Sequence, residues 1–183
     1  TNDIKVHNPL SPPLQDEGAA NHTRFCRKDG QGPGLHFFVY NHSLSNQDHT
    51  VGRHSKETCE AIIKLSKLKT NQTILAQQHP TAVKQGVFHH DVIGVGHRHI
   101  LIIHEKALIN QSNILNSLKM KAKEVFKHDL LIYEISETEL SLEEAINTYF
   151  FNSQLITLPD NTFQIIATRE CQKNKTTKQL FEK

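Results

Sequence analysis

Two short runs hold the residues that could do chemistry. Gly86-Val87-Phe88-His89-His90-Asp91-Val92-Ile93 sets an imidazole and a carboxylate two residues apart, where the chain enters a β-branched stretch. Side chains alternate faces along a strand, so His89 and Asp91 are expected to point into one space and His90 away from it. Asp16-Glu17-Gly18-Ala19-Ala20-Asn21-His22-Thr23-Arg24-Phe25 adds a second carboxylate, Glu17, in a small-residue turn ahead of another strand. One base and two acids aimed at one pocket suit a cationic substrate that must be held and protonated. Nothing in the chain stands out as the nucleophile such a site would need.

The elements that must position these groups are legible from pattern. Thr23–Arg27 and Leu35–Tyr40 are aromatic and β-branched runs flanking the glycine-rich 28–34 segment, which predicts a hairpin with a long turn. A helix is expected from Ser55 to near Lys69, then a short strand over Thr73–Ala76, then a short helix opened by Pro80 and closed by Gly86. Asp91–Val95 and Ile100–Ile103 read as a second hairpin around residues 96–99. Asn113–Lys127 is an amphipathic helix with Ile114, Leu118, Ala122 and Val125 on one face, and Leu130–Ile135 a buried strand. Ser141 and Glu144 form a capping box for a helix through Tyr149, and a last hairpin pairs Gln154–Leu158 with Thr162–Thr168. A β-hairpin–helix–strand unit thus recurs. That recurrence argues for a modular α/β fold, not a doubly wound sheet.

Composition bounds the function classes. At 183 residues the chain can form one domain, or two small ones, with a real core. A net charge of +2, with 22% charged residues mixed along the sequence, excludes a basic nucleic-acid stripe. No apolar run approaches the ~20 residues of a membrane span, and no signal-peptide pattern opens the chain. Cys26, Cys59 and Cys171 lack any CxxC spacing and read as reduced thiols of a cytoplasmic protein. Cys26 falls in a strand and Cys59 on an apolar helix face, both settings for inert core thiols. The chain begins at Thr1 and its one methionine is Met120, so it reads as a piece of something longer.

These segments resemble N-succinylarginine dihydrolases, members of the guanidine-modifying (pentein) superfamily. Asp16–Arg27 is similar to that family's DEGAANHTRFCR segment, and Gln77-Gln78-His79-Pro80 leading into 86–92 is similar to its QQNP…GVFHNDV stretch. Phe151-Asn152-Ser153-Gln154-Leu155 and the Glu170-Cys171 pair resemble later family segments, in the same order. The resemblance implies a five-bladed α/β propeller with a central active site. This chain would supply about two blades of it as an incomplete domain: a 1–20 loop with Glu17, a first module over 21–90, and a second module with a following hairpin over 91–183. It also implies hydrolysis of N2-succinyl-L-arginine to N2-succinyl-L-ornithine, ammonia and carbon dioxide in arginine catabolism, without metal or organic cofactor, by a parent enzyme that is a homodimer.

By the same resemblance His89 matches the catalytic histidine and Glu17 the catalytic glutamate that orients it. Asp91 matches a substrate-binding aspartate, and Arg53 a substrate-binding arginine suited to a succinyl carboxylate. The family's nucleophilic cysteine lies in a glycine-rich segment that this sequence does not contain, and Cys171 matches a different cysteine. The chain alone is therefore expected to be inactive. His90 and His97 stand where the family has asparagines. Two other readings stay open: a truncated, non-catalytic interaction module, and a metal-dependent hydrolase built on His97, His99, His89, His90 and Asp91.

Overall fold

Aromatic and β-branched runs pair first, and helices then cover the sheets they make. The structure is a computed structural model that describes residues 8–14, 19–44 and 53–182. Strand β1 (His22–Phe25) lies antiparallel to β2 (Leu35–Tyr40), and β3 (Thr73–Gln77) runs parallel to β2. The second sheet repeats the topology: β4 (Gly94–His97) is antiparallel to β5 (Ile100–His104), and β6 (Leu131–Ile135) is parallel to β5. A two-stranded antiparallel hairpin follows, β7 (Gln154–Thr157) with β8 (Phe163–Ile166). The fold is α/β with mixed sheets.

Parallel pairs need a crossover, and each is helical. Helix α1 (Lys56–Leu65) joins β2 to β3, and α3 (Gln111–Phe126) joins β5 to β6. Ser55 caps α1 by accepting the Thr58 amide, and Ser141 caps α4 (Leu142–Thr148) by accepting that of Glu144. Pro80 occupies the first turn of α2 (Pro80–Lys84), where its missing N–H is no loss; Gly86, at φ +102°, turns the chain just after that helix. Helix α1 ends at Leu65, short of Lys69, with Lys67 in the left-handed region. Beyond β8 the chain forms two helices that the sequence pattern did not announce, α5 (Arg169–Lys173) and α6 (Lys175–Phe181).

One apolar core spans both three-stranded sheets. Phe25, Leu35, Phe37 and Val39 of the first meet Ile93, Leu101 and Ile103 beside and within the second, with Leu118, Ala122 and Phe126 of α3 closing over them. A smaller cluster holds Ile135, Leu140, Phe150, Phe151 and Cys171. The sheets meet where β1 passes β4. The Cys26 amide donates to the Arg98 carbonyl at 2.7 Å, and a side chain at Gly96 would stand 2.6 Å from Thr23 Cγ2. Real Cβ atoms do not approach so closely, so glycine at position 96 is what lets the two sheets touch.

One expectation fails in a way that matters. The second hairpin starts at Gly94, so His89 and Asp91 do not share a strand face. His90–Val92 is instead a single 3₁₀ turn with His89 as its extended N-cap residue. A 3₁₀ turn advances about a third of a circle per residue, which sends the three side chains in separate directions. His90 takes the inward one: it is 2% exposed and its ring meets Phe37 edge-on at 5.6 Å.

Burial pushes the His90 imidazole down from 6.5 to about 4. Between those values the unfolded chain binds a proton that the folded chain refuses, so stability rises with pH across the window and is fully present above it. A shift of that size corresponds to roughly 3 kcal/mol. Urea unfolding at about pH 4.5 and about pH 7.5 should therefore show a stability gap that narrows in His90→Asn. An unchanged gap in the variant would contradict the assignment.

Candidate active site

The loop carrying His89 has no strand ladder of its own, and buried amides hold it in place. Gln78, just past β3 and 1% exposed, donates from Nε2 to the Val87 carbonyl at 2.7 Å. Its Oε1 accepts from Asn41 Nδ2 at 3.1 Å, and Asn41 Oδ1 accepts the His54 amide at 3.1 Å. From the other side, Asn21 Oδ1 accepts the His90 amide at 2.8 Å across 69 residues of sequence. The chain on either side of His89 is thus tied to the ends of the first sheet.

Asp91 opens into a cavity of about 290 Å³ lined by Ala19, Ala20, His22, Thr23, Gly94, Gly96, Phe151 and Asn152, among others. The carboxyl is half-buried, and burial raises its pKa; His89 and a hydrogen bond from the Asn152 side chain pull the other way. Among the described residues Asp91 forms no ion pair with a lysine or arginine. His22 is held neutral, lowered from 6.5 to about 4 first by burial, then by His36 and Arg24. A half-buried carboxylate that, among the described residues, has no lysine or arginine partner is a site prepared for a cation, because an incoming cation supplies a counter-charge.

The four residues singled out by sequence fare differently. His89 and Asp91 are neighbours whose charges couple. Arg53 is exposed, two residues ahead of the α1 cap, and is not among the residues lining the Asp91 cavity. Glu17 lies outside the described residues. Cys59 is fully buried with its thiol pushed up to about 12, and Cys171, 1% exposed, donates its thiol proton to the Thr148 carbonyl. Cys26 is buried just beyond the end of β1, not within it. None of the three lines the Asp91 cavity. His97 has a different engagement from the one a metal cluster requires: its Nε2 bonds Thr157 Oγ1 at 2.8 Å, and both it and His99 pack on Phe163. Among the described residues no group of three His, Cys, Asp or Glu side chains is placed to hold a metal ion.

Comparison with known sequences now bears on what this cavity serves. The sequence model of the succinylarginine dihydrolase family matches residues 1–183, the whole chain. The chain belongs to the succinylarginine dihydrolase family. It is 39% identical over 178 residues to an N-succinylarginine dihydrolase of Photobacterium profundum, covering 93% of this chain and 39% of the relative. Against the enzyme of that name from Legionella pneumophila, strain Paris, identity is 43% over 179 residues, covering 92% and 39%. For Hahella chejuensis the figures are 37% over 183 residues, 96% and 40%. The chain thus spans about two-fifths of the length of the curated relatives it matches. None of its described helices is long and apolar enough to cross a membrane.

Sequence reasoning missed Asn21, Gln78 and Asn152 as individual residues. All three sit inside segments that carry the family resemblance, and each acts through a partner distant in sequence, which periodicity does not register. Asn152 yields a signed test. In Asn152→Leu the Asp91 carboxyl keeps its burial and loses a donor, so its pKa should rise further, read by carboxyl ¹³C shift against pH. A fall toward 3.8, the ordinary value, would show that Asn152 merely keeps the cavity closed.

Proposed function

We propose that this chain carries the acid–base and guanidinium-binding half of an N2-succinyl-L-arginine dihydrolase active site. The reaction would give N2-succinyl-L-ornithine, two ammonia and carbon dioxide from substrate and two waters. The observation behind this reading is Asp91, half-buried beside His89 in a cavity where, among the described residues, no lysine or arginine pairs with it. Family membership supplies the substrate class; the electrostatics of Asp91 agree with it.

A guanidinium carbon is a poor electrophile because its charge is spread over three nitrogens. A carboxylate that accepts two of its N–H groups fixes the plane and localises the charge. On this reading Asp91 binds the guanidinium, and His89 protonates departing ammonia, then takes a proton from the water that hydrolyses the covalent intermediate. Glu17 orients His89, and Arg53 receives the succinyl carboxylate. The nucleophilic thiolate must come from outside this set of residues, since Cys26, Cys59 and Cys171 are all buried. The repeated hairpin–helix–parallel-strand unit agrees with two blades of a five-bladed propeller, with residues 21–90 and 91–183 as successive portions. A cytoplasmic, homodimeric parent enzyme belongs to the same proposal.

The test is binding without turnover. N2-succinyl-L-arginine titrated into the purified chain should shift the amide resonances of Ala20, Asp91 and Asn152 while releasing no ammonia, and Asp91→Asn should abolish the shifts. In a longer protein that contains this chain and turns over, His89→Ala should lower the rate by about 10²–10⁴-fold. Shifts that persist in Asp91→Asn, or ammonia release that survives Cys171→Ser in the purified chain, would overturn the reading.

A further inference from the structure

Building on Asp91 as the guanidinium acceptor, we propose that His22 is a second substrate-contacting residue of the same cavity, presenting an uncharged imidazole nitrogen to the planar cation. His22 opens β1 and lines the Asp91 cavity. Its ring stacks on Phe38 with centroids 4.4 Å apart and planes 25° apart, and lies nearly coplanar with that of His36, centroids 5.2 Å apart and planes 7° apart. Cross-strand register sets His22 opposite Phe38 and Arg24 opposite His36, so all four share one sheet face. Held by a stack on one ring and a hydrogen bond to the other, the ring has little freedom to turn.

The hydrogen bond then decides what the ring can offer. His22 Nε2 lies 3.0 Å from His36 Nδ1, and this is the only hydrogen bond of the His22 ring among the described residues. Two neutral imidazoles sharing one bond have correlated tautomers. If Nε2 of His22 donates, its Nδ1 is a lone pair; if Nε2 accepts, Nδ1 carries a proton. A guanidinium brings only N–H donors and a positive charge, so it needs the first arrangement and is repelled by an imidazolium. Burial disfavours a proton on either histidine, and Arg24 on the same face, its Nη2 donating to the Gly32 carbonyl at 2.9 Å, adds to that. Both imidazoles are thus biased to the neutral form, and His22 shares its cavity with the Asp91 carboxyl. Asp91 supplies the charge, and His22 supplies an acceptor that adds none.

The experiment uses the full 183-residue chain, ¹⁵N-labelled at histidine, with guanidinium chloride at millimolar concentration as the probe. At neutral pH, His22 should be the Nε2-protonated neutral tautomer, and its Nδ1 resonance should move as guanidinium is added. His22→Phe, which keeps the stack on Phe38, should weaken guanidinium binding roughly tenfold, and His22→Gln should recover most of that loss. Asp91→Asn should abolish binding. If Asp91→Asn abolishes binding while His22→Phe binds as the parent chain does, or if His22 carries its proton on Nδ1, the role of His22 is overturned and that of Asp91 stands. Equal binding by Asp91→Asn overturns the reading of Asp91, and the His22→Phe arm then decides His22 separately. A parent chain that binds no guanidinium overturns both. Since the tautomer is measured on the unsubstituted chain, a variant that fails to fold leaves the test intact.

Discussion

A single buried glutamine side chain holds together much of what surrounds the candidate site. Gln78 is almost wholly inaccessible, yet both ends of its amide are engaged, one by Asn41 and the other by the Val87 carbonyl. An amide left unpartnered in the interior loses roughly 1–3 kcal/mol, so this chain of bonds is strongly selected over its alternatives. Its consequence is geometric. The segment leading to His89 has no ladder, and the segment after Arg53 begins a helix from a loop. Asn41 and Gln78 join both segments to the ends of β2 and β3, and the core beneath is continuous across the two sheets. Neighbouring backbone bonds reinforce the join: the Gln78 amide donates to Tyr40, that of His79 to Ala107, and that of Ile109 to Gln77.

The charge pattern follows from where that scaffold puts each group. His90 is turned inward and neutral, and His22 is neutral by burial, helped by His36 and Arg24, while Asp91 keeps one flank open to a cavity. Had the neighbours of Asp91 been lysine or arginine, its charge would already be satisfied and a cationic ligand would have nothing to gain. Asn152 and His89 moderate the carboxyl without neutralising it. The interior close by is also unusually polar. Among the described residues, His90 has no hydrogen-bond partner at either ring nitrogen, and Asn21 Nδ2 has none either. Such groups reduce stability, and their concentration beside the cavity fits a region shaped for ligands more than for packing.

Much of the architecture was readable in the chain because it rests on local rules. The capping serines at 55 and 141, Pro80 at its helix start and the apolar face of α3 each announce an element within a few residues of its observed bounds. The His89–Asp91 pair was readable as chemistry and misread as geometry. A β-branched run after Asp91 favours a strand, but the His90 amide finds Asn21 and its ring finds Phe37, and those two tertiary contacts wind the segment into a turn. Asn21, Gln78 and Asn152 escaped notice for a related reason: an asparagine or glutamine has no periodicity, and its importance lies wholly in a partner elsewhere in the sequence. The helices after β8 were missed because Arg169–Phe181 carries few apolar residues to mark a face.

Amide hydrogen exchange in Gln78→Met tests most directly whether the buried amides hold the site. The substitution keeps the side chain's length and removes both of its hydrogen-bonding ends. The account predicts that the His90 amide, bonded to Asn21 across the loop, exchanges at least about tenfold faster, while Ile103 in the middle of β5 keeps its protection. Equal protection of His90 in variant and parent would show that the loop is held by its apolar contacts alone, and would contradict the account.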